Sequence, residues 1–480
     1  MRNLTMLTDL YQLTMMYGYW KCGMHKNRAV FDMFYRKGSD VTQYAVVAGL
    51  EQLIDYINNL HFSEEDLSYL SSLKLFDDAF INELRKFHFS GDIDAIPEGT
   101  IVFPGEPLVR VIAPIFEAQL IETALLNIIN HQTLIATKAC RVVQAAQGDS
   151  ILEFGLRRAQ GPDAGIYGAR AAIIGGCDAT SNVLTGEMYG IPVKGTHAHS
   201  WVMSFPDELS AFRAYAEYFP TSCMLLIDTY DTLKSGLPNA ITVFKELRAK
   251  GYEPTGVRLD SGDLAYLSRE CRRRLDEAGF PNVSICASGD LDEMLIRDLK
   301  LQGACIDIWG VGTKMITSQD CPALGGVYKL SAEFVDGRVV PKIKISENPA
   351  KITNPGIKNL YRLYDKDGMA VADLIALAHE KYDSSRPLTI FDPVDTWKTT
   401  TLTEYSIRPL LVPVFKNGQQ VYESPQLMEI QAYTRRELAT FWDQYKRLLN
   451  PHRYKVDLSD ELWMLKQSLL KHRDGQEIPT

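Results

Sequence analysis

The sequence predicts an α/β protein: an irregular, TIM-like parallel α/β barrel with a smaller N-terminal α/β domain and a C-terminal α/β extension. Three observations predict it. Six stretches share one grammar, an apolar run that ends in polar or glycine residues: Ile151 to Arg158, Val193 to His199, Met224 to Asp231, Thr255 to Asp263, Val283 to Asp290 and Ile306 to Thr313. From the second onward their starts recur about every 20 to 30 residues, the spacing of strand–helix units. The intervening sequence is helix-like. In a parallel barrel the carboxyl ends of all strands open on one face. Arg157, His199, Asp228, Arg258, Asp260, Asp290 and Thr313 are therefore expected to converge there.

At 480 residues the chain is too long for one small core. The expected division is 1–115 for the N-terminal domain, 116–330 for the barrel and 331–480 for a β-containing and helical C-terminal region. A hydrophobic fraction of 46% and a charged fraction of 23% are those of a globular protein, and no run approaches the roughly 18 apolar residues of a membrane span. The first twenty residues include Asp9 and other polar side chains where a signal peptide needs an unbroken apolar stretch. Eight cysteines stand without a CxxC pair, which indicates neither a zinc ribbon nor a disulfide framework. A cytoplasmic protein is the expectation. The net charge of −9 argues against a nucleic-acid surface, so an anionic ligand has to be met by a local cluster of cations.

Along the chain, residues 8 to 21 read as a helix with Asp9 and Gln12 at capping-box spacing. Ala29 to Arg36 alternates as a strand does, and a helix follows over Leu50 to Leu60. Residues 99 to 113 suggest a hairpin turning at Pro104-Gly105. Phe116 to Gln147 predicts one long helix, apolar on most faces, with Lys138 and Arg141 near its carboxyl end to oppose the dipole. Beyond the barrel, 327–330, 339–345 and 361–364 read as strands, with a turn-rich loop over 348–356 between them. A C-terminal helix is expected to start at Ser424-Pro425 and to stop at Asn450-Pro451.

Neither GxxxxGK[ST] nor GxGxxG after a strand occurs, so phosphate has to be held in another way. Gly289-Asp290 and the run Gly310 to Lys314 each follow an apolar strand, where glycine lets backbone N–H groups approach an anion; a plain strand–helix turn is the alternative. Arg157-Arg158 supplies two guanidinium forks suited to a phosphate, or a structural salt bridge. His197 and His199, two apart, share a face if the strand persists. No further metal ligands are announced, whereas an imidazole can act as a nucleophile toward phosphate. Arg258, Asp260 and Asp263 combine a cation with two carboxylates, which suits an anion beside ribose hydroxyls or magnesium, or else a self-satisfied pair.

With these residues in view the chain resembles the nicotinate phosphoribosyltransferase family. The motifs are Leu-Thr-Asp-Leu-Tyr-Gln-Leu-Thr-Met near the start, Phe-Gly-Leu-Arg-Arg-Ala-Gln-Gly-Pro-Asp at 154–163, Gly-Thr-His-Ala-His-Ser at 195–200, Arg-Leu-Asp-Ser-Gly-Asp at 258–263 and Gly-Val-Gly-Thr at 310–313. The resemblance implies a type II phosphoribosyltransferase fold. It implies transfer from phosphoribosyl pyrophosphate to nicotinate, with ATP as co-substrate and Mg2+ as cofactor, in NAD biosynthesis. It also implies a homodimer with shared active sites. Carried over by position, Tyr11, Thr196 and Arg258 would bind nicotinate. Arg157, Asp260, Asp290, Gly312 and Thr313 would bind phosphoribosyl pyrophosphate, and His199 would be the catalytic histidine that becomes phosphorylated. The direct magnesium ligands are not identified. The Gln-Gly-Pro-Asp run after Ala159 favours nicotinate over the sister activity on nicotinamide, which is the alternative.

Overall fold

The computed structural model describes residues 3–36, 43–348 and 351–471. The chain divides into two units, one of residues 1–133 with 323–480 and one of residues 134–322. Segments 1–115 and 331–480, expected as separate domains, thus share a unit.

In that first unit Arg28–Tyr35 lies between Gly326–Val335 and Val109–Pro114, antiparallel to both, so strands from the two ends of the chain build one seven-stranded sheet. A four-stranded sheet follows, in the order Ser406–Pro409, Lys358–Tyr364, Ala370–Leu377, Val456–Leu458. The N-terminal helix runs Leu10–Lys21. Asp9 precedes it without capping it, and Gln12 is buried against Glu122. The expected hairpin is absent: Ile101–Val102 pairs with Ala45–Val46, whereas Val109–Pro114 pairs with Arg28–Tyr35 and Asp92–Ala95. The Pro-Gly turn was legible but its two arms join different sheets. The C-terminal helix begins later than Ser424-Pro425 predicts, at Leu427, and ends at Ala439. Residues 349–350 of the expected loop lie outside the described residues.

The predicted helix over Phe116 to Gln147 is two, Ile115–Leu120 and Glu122–Ala146. Within the second unit, Lys138 and Arg141 do not oppose a helix dipole. Both are buried on Glu293, at 2.8 and 3.0 Å, and Lys138 also reaches Asp320 at 2.6 Å.

The second unit is built on six parallel strands in the order Ala179–Thr180, Ser150–Glu153, Ile308–Val311, Ser284–Gly289, Gly256–Leu259, Met224–Leu226. Val257, Leu259, Ile285, Ala287, Trp309 and Val311 are all buried, as expected of parallel strands covered on both faces. Five of the six predicted strands are present. Val193 to His199 is not one of them: it contributes a single bridge, Thr180 to Val193, and then leaves the sheet. The ladder is therefore an open parallel sheet between the Val193 segment and Met224–Leu226. Across that opening the backbone N–H of Leu226 donates to Nε2 of His197 at 3.2 Å.

Candidate active site

Parallel pairing brings the carboxyl ends of successive strands side by side, and the polar residues just beyond them are laced from each strand to the one before. Asp228, two residues past Met224–Leu226, is the first anchor. Its Oδ2 accepts from the backbone N–H of Asp260 at 3.0 Å and from Ser261 Oγ at 2.6 Å. Asp260 in turn accepts from Ser288 Oγ at the end of the next strand. Gly289 then turns the chain with φ +120°, a conformation that favours glycine, and a Cβ there would stand 3.1 Å from the Asp260 carbonyl oxygen. Asp290 follows it, exposed.

The two histidines part company at this rim. His197 is buried beside Tyr215, and burial lowers its pKa to about 4, so the ring is neutral with Nε2 as acceptor toward Leu226. The expectation of a shared strand face fails because the chain leaves the extended conformation: His199 opens a short helix, His199–Met203. Its side chain is 38% exposed, and Nε2 lies 3.9 Å from both Asp228 Oδ1 and Asp260 Oδ2, while Nδ1 is 3.1 Å from Thr229 Oγ1. The carboxylate of Asp228 is only 2% exposed, yet Oδ1 has no hydrogen-bond partner, since 3.9 Å is beyond that range.

Arg258 faces the same rim. It donates to Thr196 Oγ1 and to the His197 carbonyl at 3.1 Å, and its Nε is buried without a partner. Arg258 and Asp260 do not form the self-satisfied pair considered above. Asp263, the second carboxylate of that motif, instead caps the helix Leu264–Glu277 by accepting from the Tyr266 N–H at 3.0 Å.

Arg157 and Arg158 sit exposed on the turn Leu156–Arg158. The buried carboxylate of Glu153 holds that turn, accepting from the Gly155 N–H and from Thr180 Oγ1 at 2.6 Å, and burial raises its pKa. Gly155 tolerates no side chain, since a Cβ would lie 2.4 Å from Cβ of Ile316. Gly312 and Thr313 begin a single turn, Thr313–Ile316. Gly289 and Val311 are directly paired, so the two glycine-bearing strand ends are neighbours. Tyr11 belongs to the other unit, exposed on Leu10–Lys21.

Sequence reasoning missed Ser261, Ser288, Thr229 and Glu153, and gave Asp228 no role. A signal was present for the serines: Ser-Gly-Asp occurs at 261–263 and again at 288–290. Among the described residues no group of three His, Cys, Asp or Glu side chains forms a closed metal site, and no helix is long and apolar enough to cross a membrane.

The second unit is thus an α/β body with a polar rim at the carboxyl ends of parallel strands, where ligands of such sheets bind. The N-terminal domain model of nicotinate phosphoribosyltransferase matches residues 6–130 and the C-terminal domain model residues 357–466. A nicotinate phosphoribosyltransferase of Bacillus subtilis is 48% identical, covering 99% of this chain and 98% of that protein. The human protein of the same name is 35% identical, covering 97% and 96%. The crystal structure of human nicotinic acid phosphoribosyltransferase superposes with a TM-score of 0.86 at 33% identity, over 96% of this chain and 99% of that one. The chain belongs to the nicotinate phosphoribosyltransferase family.

Proposed function

We propose that the chain transfers a phosphoribosyl group from phosphoribosyl pyrophosphate to nicotinate, giving nicotinate mononucleotide and pyrophosphate, with ATP hydrolysis coupled to the transfer. The observation that carries the reading is the rim itself: Arg258 beside Thr196, with His199 between Asp228 and Asp260. A guanidinium held by a hydroxyl and a carbonyl keeps donors for a ring carboxylate, and this favours nicotinate over its amide. The relatives described above carry the nicotinate name, which sets the nicotinamide alternative aside.

The pyridine nitrogen attacks C1 of the ribose as the bond from C1 to the pyrophosphate oxygen breaks. Cationic character develops on the sugar and negative charge on the leaving group. Arg157 and the turns at Gly312-Thr313 and Asp290 would grip the phosphates, and Asp260 would face the ribose. Asp228, with its unbonded buried oxygen, and Asp260 would hold Mg2+, which would supply positive charge toward the departing pyrophosphate. His199 is the acceptor for the γ-phosphoryl group of ATP, because Thr229 occupies Nδ1 and leaves Nε2 available: the N–P bond forms as the bond to the bridging oxygen breaks and ADP leaves, and water later cleaves the N–P bond to release phosphate. Tyr11 packs on the nicotinate ring from the partner chain of a cytoplasmic homodimer, and the Val193 segment and Met224–Leu226 are the seam of an irregular barrel bridged by His197.

Product analysis with nicotinate, phosphoribosyl pyrophosphate and Mg2+, with and without ATP, tests the reading. Nicotinate mononucleotide is expected in both, faster with ATP, and His199→Ala is expected to lose ATP hydrolysis and ATP stimulation together. Faster turnover of nicotinamide than of nicotinate would overturn the substrate assignment; normal ATP coupling in His199→Ala would overturn the role of the histidine.

A further inference from the structure

The first unit contains a second gathering of cations, unconnected in sequence with the rim. A cavity of about 200 Å³ is lined by Lys466, Arg453, Asn354, Gln43 and the rings of Phe103 and Tyr454, together with apolar residues, and no carboxylate lines it. The local structure explains that composition. Along Val456–Leu458 side chains alternate, so Val456 and Leu458 face the cavity while Asp457 does not. Phe103 and Tyr454, stacked on each other with centroids 4.0 Å apart, form its aromatic side.

Lys466 projects from the helix Asp460–Lys471 and donates to Oδ1 of Asn354 at 2.8 Å, a neutral partner. Among the described residues no carboxylate lies within ion-pair distance of it. The nearby Lys358 differs, being paired with Asp32 at 2.8 Å. Burial and the charge of Lys358 both lower the pKa of Lys466, the response of an ammonium that folding has desolvated without compensation. Arg453 is exposed, and Asp392 and Asp457 feel its charge without lining the cavity.

We propose that this cavity binds the phosphate group of a small ligand, clamped by Lys466 and Arg453 and hydrogen-bonded by the side-chain amides of Asn354 and Gln43. An ammonium with two donors still unused, a guanidinium fork and two amides match a tetrahedral oxyanion rich in acceptors. Binding would supply the negative partner that the Lys466 ammonium lacks. The ring wall accommodates an organic remainder, so the source of the phosphate is either inorganic phosphate or a phosphomonoester.

Equilibrium dialysis of the full chain with labelled inorganic phosphate tests this, comparing the wild type with Lys466→Gln, Arg453→Gln and, as a control in the other unit, Arg157→Gln. Both cavity variants are expected to weaken one phosphate site per chain by about tenfold or more, the scale of a lost charge-assisted hydrogen bond, and Arg157→Gln to retain it. Lys466→Gln is able to keep a hydrogen bond to Asn354, and Arg453 is exposed, so Arg453→Gln reports even if the buried substitution impairs folding. Identical isotherms in the wild type and Arg453→Gln, or loss only in Arg157→Gln, would overturn the proposal. A second arm with phenyl phosphate separates the sources: tighter binding than inorganic phosphate assigns a phosphomonoester, and equal or weaker binding assigns the free ion.

Discussion

The buried charges around Arg362 in the first unit and those at the rim of the second are arranged on opposite principles. In the first, Arg362 is fully buried and fully answered. Its Nε and terminal nitrogen meet both oxygens of Asp373 at 2.9 and 2.6 Å, Glu437 lies 3.3 Å away, and the Ile101 carbonyl accepts at 2.7 Å. Tyr454 adds a hydrogen bond to Asp373 at 3.1 Å. Burial, and after it the nearby Asp373, push the pKa of the neighbouring Glu106 up, which favours its neutral form. At the rim, by contrast, Asp228 Oδ1 and Arg258 Nε are buried without hydrogen-bond partners. A closed set of charges holds a fold together; an open set waits for a ligand's charge, so the two should respond differently to substitution.

The largest effect on stability is expected at Arg362. Arg362→Met leaves Asp373 buried without its cation, while Glu437 keeps its two bonds from Arg408 at 2.7 Å, a loss of about 3–5 kcal/mol for breaking a buried pair. Urea unfolding should show it, and Asp373→Leu added to Arg362→Met should recover much of it. Wild-type stability in the single variant would erase the contrast between the Arg362 cluster and the rim.

His197 is next, because it is closed in the neutral form. Its folded pKa of about 4 lies below the ~6.5 of an unfolded imidazole, so the unfolded chain binds the extra proton between those values. The contribution is complete above pH ~6.5 and is lost as pH falls toward 4, on the order of 3 kcal/mol in all. His197→Asn offers an acceptor to the Leu226 N–H but cannot titrate. The difference in unfolding free energy between the two proteins should therefore slope across that window and level off above it. A flat difference would mean that His197 is not buried neutral.

Much of this division was legible in the sequence, for reasons that differ by element. Five parallel strands announced themselves because both faces are buried and the runs are continuously apolar, and each ends in the polar residue that the rim uses. The Val193 run failed because a strand pattern cannot reveal that its neighbour across the opening is paired through an imidazole. The supposed hairpin at Pro104-Gly105 failed because a turn says where the chain bends, not which strands its arms join. Lys138 and Arg141 looked like end-of-helix cations, since their partner Glu293 is some 150 residues away and local rules have no access to it. At the rim, the placement of Arg258 and His199 was legible from residue type and position, their roles being proposals; the serine lacing of Asp228 and Asp260 required the strand order.

A smaller stability effect is expected at Arg258. Arg258→Ala removes a half-buried side chain and its bonds to Thr196 and the His197 carbonyl, a cost of about 1–2 kcal/mol. Its effect on nicotinate should be greater: a KM at least about tenfold higher, with the KM for ATP little changed. An unchanged nicotinate KM in the folded variant would remove Arg258 from the ring-binding role.

The smallest change in stability, and the sharpest test of the comparison, belongs to Asp228→Asn. The asparagine carbonyl can take the place of Oδ2 and go on accepting from the Asp260 N–H and Ser261 Oγ, so the lacing of the strand ends survives. What disappears is the other oxygen, which is buried and unbonded at 3.9 Å from His199 Nε2. A buried anionic oxygen without a donor contributes nothing to the fold, and replacing it with an amide removes an electrostatic cost while leaving the amide's donors to find acceptors. Those two consequences oppose each other, and the net change should lie within about 0.5 kcal/mol of zero. Activity should fall by about a hundredfold or more, and the Mg2+ concentration for half-maximal rate should rise, because the amide presents N–H groups where an anion was available to a cation. Denaturation and Mg2+ titration of the same preparation read both quantities. A variant that loses several kcal/mol of stability would place Asp228 with Arg362 among the closed structural charges; one that keeps both stability and activity would show that the open oxygen has no ligand to meet.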